Sequence, residues 1–132
     1  HVQDNARGYI NENEIQNLED YLLKNKSKVI IFTHHPIVKL GSQWIDKNIT
    51  ENNNLLIQLM LKHDNTSFHI FSGHVHQEFH RRIRNIDFYT SPSTCYQFKS
   101  KSENFCIDNE LGNGYRVITL RGNTLKTNLI RL

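Results

Sequence analysis

The chain has 132 residues, a formal charge of +3 and 37% hydrophobic residues, a size that fits one domain or part of one. No apolar run approaches the roughly 20 residues that span a bilayer, so no membrane partner is expected. The densest basic cluster, "HRRIR" at residues 80–84, is too short for a nucleic-acid interface and reads as a solvated strand face, so no nucleic-acid partner is expected either. The opening "HVQDNARGY" is polar and unlike a secretory signal, and Cys95 and Cys106 read as reduced thiols. A cytoplasmic location is the corresponding expectation.

In chain order, "GYINENEIQNLEDYLLKN" predicts a helix capped by Asn11, with Glu14 completing a capping box and Ile15, Leu18 and Leu22 on one face. "KVIIFT", residues 28–33, predicts a strand buried on both faces. A loop marked by Pro36 and Gly41 follows. "NNNLLIQLMLKH" then predicts a second helix with Leu55, Leu56, Leu59 and Met60 towards the core, and "SFHIFSG" a second buried strand ending at Gly73. Strand, loop, helix and strand in that order form a βαβ unit with a parallel pair. The remaining segments, "EFHRRIR", "IDFYT", "CYQFKS", "NFCID", "GYRVITLRG" and "TLKTNLIRL", alternate over short lengths between turns and predict antiparallel hairpins.

Eight histidines are present, and two clusters stand out by position. "HH" of "IIFTHHPIV" and "HVH" of "SGHVHQ" each follow a buried strand of the βαβ unit, where functional loops of open α/β sheets gather. Neutral imidazole is a ligand for Zn, Mn, Fe or Ni. His74 and His76 flank one residue of a turn, so their rings can diverge towards two ions. Alternation at a strand end would send the rings of His34 and His35 to different sides, which makes it hard for both to join one ion. Gly73 offers a close backbone approach or an unusual dihedral. His63, His69 and His80 lack such context and read as structural.

Taken together, "THHP" and "GHVH" resemble the last two metal motifs of the calcineurin-like metallophosphoesterases. With "GSQWID" (41–46), "SPSTCYQF" (91–98) and "GYRVITL" (114–120), the likeness extends from about Gly8 to Leu132 and is to the cyclic-AMP phosphodiesterases of the Icc type, the class III cyclic nucleotide phosphodiesterases. The resemblance implies a four-layer α/β/β/α sandwich, of which this chain is the C-terminal part: a βαβ segment followed by antiparallel hairpins, within one domain over residues 1–132. It implies two divalent ions of the Fe, Mn or Zn type and a cyclic nucleotide substrate hydrolysed to the 5′-monophosphate. His34 and His74 map to ligands of one ion, His76 to a ligand of the other, and His35 to a place behind the ligands or near the bound phosphate. The family's upstream motifs, an Asp-x-His, a Gly-Asp and a Gly-Asn-His, have no counterpart here, and the histidine that acts on the leaving group belongs to the third. No catalytic residue is therefore expected in this chain, which alone should be inactive and prone to self-associate or to form a homodimer. Rival readings are a phosphodiesterase for another ester, such as a glycerophosphodiester, and a metal-free scaffold that binds a partner.

Overall fold

The first helix, α1 (Glu12–Lys24), starts where a side chain can replace the missing helical acceptor. In the computed structural model, which describes residues 7–25 and 27–132, Asn11 accepts from the Asn13 N–H at 2.9 Å. The cap is thus made one residue earlier than the Glu14 amide expected of a capping box. The Asn11 carbonyl takes Glu14 and Ile15 instead. Glu12 and Glu14 occupy the first turn and Lys24 the last, each complementary to the helix dipole. Leu22 is fully buried, and Ile15 and Leu18 pack against the same core.

Strand β1 (Val29–Thr33) is followed by the short helix α2 (Gln43–Asp46), within the stretch that Pro36 and Gly41 mark as loop. Asp46 holds it by accepting from the Leu40 and Gly41 N–H groups at 2.7 and 3.0 Å. Then come α3 (Asn53–Lys62), β2 (Phe68–Ser72), β3 (Phe79–Ile83) and β4 (Ile86–Thr90). Strands β1 to β4 form one sheet in the order β1-β2-β4-β3, parallel except for β3. The β1–α3–β2 crossover is the expected parallel unit. By contrast, β3 and β4 do not start a separate antiparallel layer: their hairpin folds back so that β4 joins β2. Its "IDFYT" pattern is buried at four of five positions, which suits an interior strand.

Phe68, Ile70, Ile86 and Phe88 of the sheet meet Leu22, Leu56, Leu59 and Met60 of the helices, with Ile37 and Val38 closing one end. Asn85, at the β3–β4 turn, donates to the carbonyls of Met60, His63 and Thr66, binding that turn to the end of α3. Two expectations of burial fail. Leu55 is 48% exposed at the lip of the groove between α1 and α3, because Leu56, Leu59 and Met60 already fill the inward stripe. Phe32 is 69% exposed because the sheet face it projects from is left uncovered at β1. The face bearing Phe32 carries a row of stacked rings across all four strands: Phe32, Phe71, Tyr89 and His80, with centroids 5.7, 4.9 and 4.4 Å apart.

Two small pairings complete the chain, β5 (Gln97–Phe98) with β6 (Ile107–Asp108) and β7 (Gly114–Arg121) with β8 (Thr124–Arg131). Arg116 of β7 anchors its hairpin to the main sheet by donating twice to the Thr90 carbonyl, with its guanidinium over Tyr89. Among the described residues no helix is long and apolar enough to cross a membrane.

Candidate metal centre

Parallel pairing in register brings the two histidine clusters together. Thr33 lies opposite Ser72, so the chain leaves β1 and β2 at the same level. The Gly73 N–H donates to the His34 carbonyl at 3.1 Å and carries the ladder one step further. Beyond it, His34 Nε2 and His74 Nδ1 face each other at 3.3 Å.

His35 joins them, against the expectation from strand alternation. The strand stops at Thr33, whose hydroxyl donates to the His35 carbonyl and turns the chain. The His35 ring then stands edge-on to His34 at 4.9 Å and tilted against His74 at 4.3 Å. One ring nitrogen from each of His34, His35 and His74 lies within 4.8 Å of the others. Gly8 passes so close behind that a Cβ there would sit 2.8 Å from the Cβ of His35. Gly8→Ala should therefore push His35 out of the group and cost about 1–3 kcal/mol, as overpacking does. Urea unfolding and the His35 ring resonances measure the two effects.

Gly73 is not the strained residue of the turn. A Cβ there would meet only ordinary contacts with His34, at 3.7 and 3.8 Å. The left-handed conformation belongs to His74 (φ 64°) and His76 (φ 46°), at roughly 1–2 kcal/mol each. Val75 between them is fully buried and pins the turn, its N–H bonded to the Gly73 carbonyl at 2.7 Å. Strain held in place by packing is a recurrent feature of functional sites. His76 stands outside the trio, its ring flat on Phe98 at 4.6 Å and edge-on to Tyr96 at 4.9 Å.

Burial pushes the His74 imidazole down to about 4, and the neighbouring His35, His34 and His76 add to that. His76 is lowered as well, chiefly by burial, with the Tyr96 carbonyl acting in the opposite sense. Its buried Nδ1 has no hydrogen bond of ordinary geometry. Both rings are accordingly neutral at pH 7, the form that binds metal. A histidine whose folded pKa lies below its unfolded value of about 6.5 destabilises the fold as acid is added. The unfolded chain takes up the proton first, so stability falls between about pH 6.5 and 4, with His69 acting in the same direction. A lower urea midpoint at pH 4.5 than at pH 7.5 is the expected result.

The donor set fits a transition-metal ion. Tetrahedral coordination at about 2.0–2.1 Å separates two nitrogens by about 3.3 Å, and His34 and His74 already stand 3.3 Å apart. His76, outside the trio, offers a further imidazole. Nothing acidic belongs to the trio among the described residues.

His69 and His80 turn out to share a partner. Asp87 accepts from His80 Nε2 at 2.9 Å and lies 3.8 Å from His69 Nδ1 and from the Arg82 guanidinium. A signal existed in the sequence: a hairpin turn between Ile83 and Ile86 sets Arg82 opposite Asp87 and His80 opposite Tyr89. This network lies on strand faces away from the loop ends that carry the trio. His63, the third histidine read as structural, caps the end of α3.

No family model matches the chain. It is 35% identical over 120 residues to a 3′,5′-cyclic-nucleotide phosphodiesterase of Nostoc sp., covering 90% of this chain and 44% of that relative. A probable cyclic nucleotide phosphodiesterase of Psychrobacter arcticus is 33% identical over 89% of this chain and 42% of its own length. A 3′,5′-cyclic adenosine monophosphate phosphodiesterase of Vibrio vulnificus is 31% identical, over 88% and 42%. The chain thus spans less than half the length of these relatives. In fold it is similar to a dimetal phosphatase from Danio rerio, with a TM-score of 0.58 and 17% identity over 92% of this chain and 38% of the other. The chain belongs to the calcineurin-like metallophosphoesterases, alongside the relatives called cyclic-nucleotide phosphodiesterases.

Proposed function

We propose that the chain is the C-terminal portion of a single metallophosphoesterase domain whose complete protein hydrolyses a 3′,5′-cyclic nucleotide, cyclic AMP foremost, to the 5′-monophosphate. The observation that carries this reading is the approach of His34 Nε2 to His74 Nδ1 at tetrahedral ligand spacing. The names of the relatives supply the substrate class.

On this reading His34 and His74 hold one divalent ion and His76 a second. When bound, such a pair of ions lowers the pKa of a water and neutralises phosphoryl charge. The chain's own part is orientation. The left-handed turns at residues 74 and 76 aim two imidazoles from one short segment, and buried Val75 keeps them there. His35 completes the trio beside His34 and His74, where a ring N–H can donate to a phosphoryl oxygen. Bridging carboxylates come from sequence outside this chain, so the chain alone is expected to bind metal weakly and to leave cyclic AMP intact. Its open β1 edge and exposed Phe32 favour self-association in isolation. Free Cys95 and Cys106 suit a reducing compartment, the cytoplasm.

The test is release of 5′-AMP from cyclic AMP by the full-length protein loaded with Mn²⁺. Turnover is expected there and absent in the isolated chain. Substantial turnover by the isolated chain, or a metal-loaded full-length protein that ignores cyclic AMP but cleaves a glycerophosphodiester, would overturn the proposal.

A further inference from the structure

We propose that Phe98 is a positioning residue for His76, and that the β5–β6 hairpin exists in part to present it. The inference rests on the reading of His76 as a metal ligand and concerns what aims that ligand. His76 sits in a conformation that side chains avoid, at φ 46°, so its backbone and ring both need external support. Phe98 supplies both. Its N–H donates to the His76 carbonyl at 3.3 Å, and its ring lies flat on the imidazole at 4.6 Å with only 8° between the planes. Tyr96 closes a second side, edge-on at 4.9 Å. An imidazole in such a corner cannot rotate without losing a face-to-face contact.

Phe98 is in turn held rigidly. Trp44 meets it edge-on at 4.8 Å, and Phe105 packs against both at 5.5 and 5.2 Å. The loop before it is closed by Gln97, which is fully buried: its Oε1 accepts from the Ser93 N–H and its Nε2 donates to the Ser93 carbonyl. Next to the histidine, Gln77 donates to the Lys99 carbonyl, while the Thr90 hydroxyl donates to the Gln77 carbonyl. "GSQWID" and "SPSTCYQF", two stretches that no metal chemistry explains, thereby acquire one physical purpose. Among the described residues, His34 and His74 are instead set by each other, by the neighbouring His35 ring and by the strand ends. Loss of Phe98 should therefore act on His76 alone.

The test uses the full-length protein. Phe98→Leu removes the flat face and Phe98→Tyr keeps it. In the metal-free protein, the His76 ring-proton resonances should lose their ring-current shift in F98L and keep it in F98Y, while those of His34 and His74 stay in place. Titration with Co²⁺, followed by paramagnetic broadening of each histidine ring, should show affinity at His76 reduced roughly 10- to 100-fold in F98L and restored in F98Y, the range for partners that orient a ligand. Should the amide spectrum show F98L unfolded, Phe98→Met, similar in volume but not flat, carries the same expectation. Unchanged His76 resonances and Co²⁺ affinity in a folded F98L or F98M would overturn the proposal. If His76→Ala itself leaves the Co²⁺ titration unaltered, the ligand reading beneath it fails instead.

Discussion

Replacing Phe68 by Ala should lower the stability of the chain by about 3–5 kcal/mol, the cost of emptying a large aromatic site in a close-packed core. Phe68 is fully buried at the start of β2, the strand flanked by β1 on one side and β4 on the other. Its N–H donates to the Asn85 carbonyl at 2.9 Å, at the turn that also ties down α3. Collapse around the void would have to move both neighbouring strands or Asn85, and neither can shift without breaking backbone bonds. Small domains are stable by about 5–15 kcal/mol, so this one change consumes much of the total. A shift in urea midpoint with an unchanged m-value is the measurement; a loss below about 1 kcal/mol would mean that the core is centred elsewhere.

His74→Gly should separate stability from metal binding. Glycine takes φ 64° without strain, which offsets its greater freedom in the unfolded chain. The metal-free variant should accordingly unfold within about 0.5 kcal/mol of the parent, since relief and cost are of similar size. In the full-length protein, metal affinity should fall by more than the roughly 10- to 100-fold attached to residues that merely orient ligands. Elemental analysis after dialysis reads the second effect. Retention of the full metal complement would remove His74 from the ligand set.

Much of this site could be read from the order of residue types. A buried-strand pattern with histidines just past its end occurs twice, in "VIIFTHH" and "FHIFSGHVH", and a parallel βαβ unit brings two such ends together. What stayed hidden depends on neighbours far along the chain. An apolar strand such as Val29–Thr33 reads alike whether its second face is covered or open, so the exposure of Phe32 was invisible. The placing of β4 beside β2 is not legible in the sequence, because a hairpin's local pattern does not say which of its strands joins the larger sheet. The glycine of "GHVH" is the residue that tolerates unusual dihedrals, yet the strain falls on the two histidines after it. Strand alternation misplaced His35 because alternation ends with the strand, and a threonine hydroxyl turned the chain there. Phe98 lies 22 positions from His76 (98 − 76), beyond the reach of any local pattern.

We propose that His34, His74 and His76 hold the metals of a phosphoesterase. Crystals of the full-length protein grown with Zn²⁺ test it directly through anomalous scattering. The expected map has one peak bonded at about 2.0–2.1 Å to His34 and His74 and a second bonded likewise to His76. Peaks at Asp87 with His69 and His80 instead, or none at the ends of β1 and β2, would contradict it.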